Sequence, residues 1–161
     1  MPSSRIARRA LATAASGALL LALAAGCSAT PPLPSSPTTP RGEATVNALQ
    51  TMYDAVAAAD PRVTDPLATV SRSGANTVLS LSVLITGDEA VSTQTLSAVL
   101  RAARDSSIPF DQLDLNARSA ANSEQILDLT PASKGLPADA NVLAVDGGVT
   151  LMRAGLEKIG G

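Results

Sequence analysis

From Ala44 onward, apolar residues recur at two alternating periods. In "ATVNALQTMYDAVAAADP", Val46, Leu49, Tyr53 and Val56 fall on one helical face, and Asp60-Pro61 ends the helix. "PLATVSRSGANTVLSLSVLITG" alternates on its second arm: Leu79, Leu81, Val83 and Ile85 point one way and Ser80 and Ser82 the other. "SGAN" supplies the turn, so this stretch predicts a β-hairpin. "DEAVSTQTLSAVLRAARDS" returns to the helical period, with Leu96, Val99, Leu100 and Ala103 as its stripe. Asp88 and Glu89 precede this helix and Arg101 and Arg104 lie in its last turns, placements that suit the helix dipole.

The alternation then comes back. "FDQLDLNARSAANSEQILDLT" sets Leu113, Leu115 and Ala117 against Asp114, Asn116 and Arg118 and turns at "SAAN". At an offset of 46, Leu67 meets Leu113, Arg72 meets Arg118, and Ser73, Ala75 and Asn76 meet Ser119, Ala121 and Asn122. The helices align with one residue more: Leu49 on Leu96, Met52 on Val99, Tyr53 on Leu100. The pattern reads as a duplicated helix–hairpin unit. Residues 141–145 predict a short buried strand, and Asp146-Gly147-Gly148 a turn. A last helix is expected to carry Leu151, Met152, Gly155, Leu156 and Ile159 on one face, stopped by Gly160 and Gly161. The expected fold is α+β, in the order αββαββ then βα. A small antiparallel or mixed sheet with helices on one face would bury every stripe named. Its other face would carry Ser80, Ser82, Asp114, Asn116 and Arg118 and suit solvent or a partner.

The beginning of the chain follows neither period. "MPSSRIARRALATAASGALLLALAAGC" opens with Arg5, Arg8 and Arg9, holds no acid, and runs apolar or small from Ala10 to Ala25. That run of roughly 16 residues spans ~24 Å as a helix, short for a permanent membrane crossing. A basic head, a short apolar middle and a small-residue end are the parts of a secretory signal peptide. "LAAGC" resembles the lipobox of bacterial lipoprotein precursors, with Leu23 one place further out than usual. The resemblance covers residues 1–27 and implies cleavage between Gly26 and Cys27. Cys27 would then carry the acyl chains and hold the protein at the outer face of the cytoplasmic membrane. Two or more acyl chains anchor stably at ~0.8 kcal/mol per buried CH₂, whereas one does so marginally.

After Cys27, "SATPPLPSSPTTPRGE" sets Pro31, Pro32, Pro34, Pro37 and Pro40 among serines and threonines, which favours extended chain. Three parts follow: a signal peptide at 1–26, a lipidated tether at 27–43 and a single domain at 44–161. The arginine-over-lysine, alanine-rich bias resembles that of lipoproteins from high-GC actinobacteria.

Formal charge is −2, and losing Arg5, Arg8 and Arg9 with the signal peptide takes it to −5. An acidic domain without a basic run is a poor ligand for nucleic acid or anionic lipid, since both need cations to meet phosphate. With no histidine there is no imidazole base, triad or metal ligand, and the one cysteine is committed to lipid. "DGGV" lacks the lysine of a phosphate loop, and Ser133-Lys134 lacks the spacing of a Ser-x-x-Lys nucleophile. Asp111 and Asp114, three apart on a strand, would face opposite ways. No enzyme activity and no cofactor are therefore expected. The polar set that recurs at matched hairpin positions, Arg72, Asn76, Arg118 and Asn122, is the candidate partner-binding group.

The expected function is that of a non-catalytic accessory lipoprotein binding an envelope protein or a cell-wall component. A lipid or glycolipid carrier is the alternative, and it needs an apolar cavity of several hundred Å³. "VLSLSVLITGDEAVSTQTLSAVLRAA" also resembles the strand–glycine–helix rhythm of the BON domain, a small bacterial envelope module.

Overall fold

The computed structural model describes residues 40–160. Helix α1 (Pro40–Ala59) leads into a hairpin of β1 (Val63–Ser73) and β2 (Asn76–Ile85). Helix α2 (Thr93–Arg104) crosses to β3 (Gln112–Ser119), which pairs parallel to β2. The two-residue β4 (Ile126–Leu127) and short helix α3 (Thr130–Ser133) follow. A 3₁₀ turn at Ala138–Ala140, the hairpin of β5 (Leu143–Val145) and β6 (Gly148–Met152), and α4 (Arg153–Leu156) complete the domain. The sheet is mixed and six-stranded, ordered β1-β2-β3-β6-β5, with β4 continuing beside β3. The fold is α+β, and its first elements run αββαββ as the periodicity predicts.

One face of the sheet makes the core. Leu79, Leu81, Val83 and Ile85 of β2, Leu113, Leu115 and Ala117 of β3, and Val149 and Leu151 of β6 are buried. They pack against Met52 and Val56 of α1 and Leu96, Val99, Leu100 and Ala103 of α2. Each such aliphatic side chain contributes on the order of 1.5–3 kcal/mol by leaving water, which fixes the phase of both long strands.

Several expectations need correcting. The buried face of α1 centres on Met52 and Val56, and Val46 is 65% exposed. The helix starts at Pro40, inside the stretch read as extended tether. Proline is tolerated at a first helical position, where its missing N–H has no partner to lose. Residues 143–145 form an exposed edge strand, not a buried one. Gly148–Met152 is a strand, and helix resumes only at Arg153. Asp146 and Gly147 both take positive φ (49° and 81°), the two central residues of a type I′ hairpin turn that joins β5 to β6. Met152 consequently points away from the core and is 48% exposed.

The residue-level repeat fails for a related reason. Leu67 lies 65% exposed opposite Ser82, whereas Leu113 is fully buried. An offset of 46 therefore matches residues on opposite faces, because a strand flips its side chains at every step. A bulge contributes: Asp65 (φ 43°) and Pro66 together oppose Val83.

The outer edge of β1 is blocked. The Tyr53 hydroxyl donates to the Ala68 carbonyl (3.2 Å) and accepts from the Ala68 N–H (3.0 Å). The bulge and Pro66 further spoil this edge for strand addition.

Candidate functional site

The sheet face opposite α1 and α2 is partly open: Val78 on it is buried, whereas Thr69, Asn116 and several apolar side chains are exposed. Register places Leu67, Thr69 and Ser71 of β1, Ser80, Ser82 and Leu84 of β2, and Asp114, Asn116 and Arg118 of β3 on it. Ile126 of β4, Leu143 and Val145 of β5, and Thr150 and Met152 of β6 complete it. The centre is hydroxyl-rich and ordered: Asp114 accepts from the Thr150 hydroxyl (2.8 Å) and from the Gln112 amide (2.9 Å). The margins are apolar, with Leu67, Leu143, Val145, Ile126 and Met152 all at least 48% exposed. Leu67 stands at the β1 edge and Leu143, Val145 and Met152 toward the β5 edge, so the apolar side chains frame the polar centre of this face from both sides. The alternation in β2 and β3 predicts its polar centre correctly.

The four recurring polar residues are not brought together. Arg72 and Asn76 sit at the tip of the β1–β2 hairpin, at the end where β3 begins. Arg118 and Asn122 sit where β2 and β3 finish, roughly 25 Å away at ~3.3 Å per strand residue. Arg118 and Asn122 organise their own loop: Arg118 donates to the Ser123 carbonyl (2.9 Å) and the Asn122 side chain accepts from the Glu124 N–H (3.2 Å). Asp111 stands just before β3 and accepts from the Thr77 N–H (2.7 Å), while Asp114 lies on the open face. Gly26, Cys27, the signal segment and the tether up to residue 39 lie outside the described residues.

Sequence reasoning missed the polar knot at the start of α2. Thr95, 4% exposed, donates to Asp60 (2.5 Å), and its N–H and hydroxyl both meet the Ser92 oxygen, which caps the helix. With the Thr95 proton directed at Asp60, the Ser92 hydroxyl donates to Thr95. The Thr95 hydroxyl and the Arg62 N–H hold the Asp60 carboxyl below the usual carboxylate range, against the opposing effect of burial. With Ser92 occupied as a cap, the chain Ser92–Thr95–Asp60 joins α1 to α2.

Beyond the carboxyl ends of β2 and β3 lies a groove of about 440 Å³ lined by residues 87–91, Ser119, residues 125–128 and Pro131. Its wall is pinned: Arg62 donates to the Thr86 carbonyl (3.0 Å) and the Glu89 carbonyl (2.5 Å). Asp88, Glu89 and Asp128 rim it, with Glu124 and Asp146 on neighbouring loops. Asp128 is kept below the ordinary carboxylate range by the Thr130 hydroxyl and N–H. The other end of the domain is richer in cations, with Arg101, Arg104, Arg153 and Lys158. Two of these are engaged: Arg104 with the Ile159 carbonyl (2.9 Å) and Asp105 (2.7 Å), Arg153 with the Arg104 carbonyl (2.8 Å) and over the Phe110 ring (4.7 Å). Between sheet and α2, the space bounded by Val83, Leu96, Leu115 and Leu129 is about 10 Å³, too little for an acyl chain.

Among the described residues no helix is long and apolar enough to cross a membrane, and no group of three or more acidic, histidine or cysteine side chains could hold a metal. No protein-family model, curated protein or solved structure matches this chain.

Proposed function

We propose that this protein is a lipoprotein anchored at the extracytoplasmic face of the cell membrane through Cys27, and that its domain is a non-catalytic module binding another envelope protein. The observation that carries the binding reading is the partly open sheet face, a hydroxyl-rich centre with an apolar margin at Leu67, Leu143, Val145 and Met152. The anchoring reading rests on "LAAGC" after a basic, then apolar, leader. Small polar side chains at the centre let a partner approach closely, and the exposed apolar side chains at the margin would leave water on contact.

Two experiments test these parts separately. Cys27→Ser should abolish acylation and move the protein from the membrane fraction to the soluble one or leave it as uncleaved precursor. Processing at the same bond with unchanged membrane retention would remove the lipid anchor. For binding, photo-crosslinking residues placed at Thr69 and Asn116 on the open face, and at exposed Gln50 on α1, should yield protein adducts from the first two only. Adducts equal at all three positions would remove the sheet face as the binding surface.

A further inference from the structure

Within that partner-binding reading, the groove beyond β2 and β3 specifies a chemistry for the partner. It lies beyond the ends of β2 and β3, the sheet's parallel pair. Its walls are set before any ligand arrives, since Arg62 holds the 86–89 loop by two backbone carbonyls and the Ala120 N–H is tied to the Ile85 carbonyl (2.9 Å). Much of its lining is apolar: Val91, Leu127, Pro131 and Ile126, the last 48% exposed. The rim carries Asp88, Glu89 and Asp128. Arg62 offsets these only in part, standing 3.9 Å from a Glu89 carboxylate that is 90% exposed.

An apolar floor under an acidic rim complements one kind of occupant. We propose that the groove seats an extended, basic and partly apolar segment of a partner protein. Arginine or lysine heads lie over Asp88, Glu89 and Asp128, and an apolar side chain rests on Ile126, Leu127 and Pro131. Nucleic acid and anionic lipid would be repelled by the rim. A free polyamine would leave the apolar floor wet. A second copy of this chain offers fewer cations to the rim, because two of the four at its more cationic end, Arg104 and Arg153, are already engaged with backbone carbonyls and carboxylates.

The test uses the full-length chain in nonionic detergent and three blocked pentapeptides: Arg-Ile-Arg-Val-Arg, its acidic analogue Glu-Ile-Glu-Val-Glu, and the polar basic analogue Arg-Ser-Arg-Thr-Arg. By NMR, the first should shift the amides of residues 87–91 and 125–128 and bind more tightly than the third, while the acidic one should not bind. Asp88→Asn with Glu89→Gln and Asp128→Asn should weaken binding about tenfold, the sum of three exposed ion pairs. Asp128 is exposed, and the amide introduced by Asp128→Asn keeps an oxygen for the Thr130 N–H; amide shifts outside the groove that match the parent check that the fold is retained. Ile126→Ser should remove the preference for the first peptide over the third and leave the third's affinity unchanged. No binding at millimolar peptide, shifts elsewhere, equal binding of the acidic peptide, or concentration-dependent self-association through these same residues would each overturn the proposal. Crosslinking on the sheet face with silent pentapeptides would retire the groove alone and leave the partner-binding reading in place.

Discussion

At Ala68 both outward-facing backbone groups of the β1 edge end on one oxygen, the Tyr53 hydroxyl. Phenylalanine there would keep the ring's packing and strand an N–H and a carbonyl at a sheet edge. Tyr53→Phe is therefore expected to cost about 1 kcal/mol, the usual net worth of such bonds. It should lower the urea midpoint at unchanged m-value and speed hydrogen exchange at the Ala68 amide; exchange as slow as in the parent would show that the bond is not made in solution. Thr95 is the other residue on which two elements depend, since its buried hydroxyl serves a carboxylate at the end of α1. Thr95→Val keeps the volume and removes the donor, and hydrogen bonds to charged groups are the costlier ones to lose. The expected loss is about 1.5 kcal/mol in thermal or urea unfolding. Neither role was visible in the chain: Tyr53 reads as one more apolar position on a stripe, and Thr95 as a polar residue between stripe positions.

At the scale of elements, what the sequence discloses depends on whether neighbours compete with periodicity. β2 and α2 were legible because Leu79, Leu81, Val83 and Ile85 keep one face, with only Leu84 interrupting the serines opposite them, and Leu96 to Ala103 keep one helical stripe; both stripes are buried as the pattern requires. The C-terminal stretch satisfied both periods. Leu151, Gly155, Leu156 and Ile159 fit a helix, yet Val149 and Leu151 also alternate with Thr150 and Met152, and Asp-Gly is a hairpin signal that outweighs the helical reading. β1 was placed out of phase by its bulge. The polar centre of the open face could be read from the strands, but the groove could not, because three separated segments meet only in the fold. Close approach between elements is another thing that sequence conceals. A Cβ on Gly155 would collide with the Ala140 carbonyl oxygen, so α4 lies directly on the 3₁₀ turn. Gly155→Ala should destabilise by about 1–3 kcal/mol through overpacking, despite alanine's better helix propensity. A variant as stable as the parent would mean that the turn moves freely away from α4.

For the molecule as a whole, the titratable groups set a one-sided dependence on pH. The chain has no histidine, so no side chain has its ordinary titration between about pH 5.5 and 7. Asp60, Asp105 and Asp128 are all held below the ordinary carboxylate range, by the Thr95 hydroxyl, by Arg104 and by the Thr130 hydroxyl respectively. A carboxylate depressed in the folded state binds its proton more weakly there than in the unfolded chain. The stability it contributes is fully present above the unfolded value of ~3.9 and disappears as pH falls through the folded one. Arg104 acts in the opposite sense: Asp105 raises its already high value, so its contribution is lost only at extreme alkaline pH. The thermal midpoint should therefore be flat from about pH 5.5 to 7 and fall steadily below about pH 4. Thr95→Val should lower the whole plateau yet shrink the acid-dependent part of the fall, because Asp60 then has less to lose on protonation. Calorimetry across that range separates the two effects. A midpoint that changed between pH 6 and 7, or an acid limb of unchanged depth in Thr95→Val, would mean that some group other than these three carboxylates governs the response.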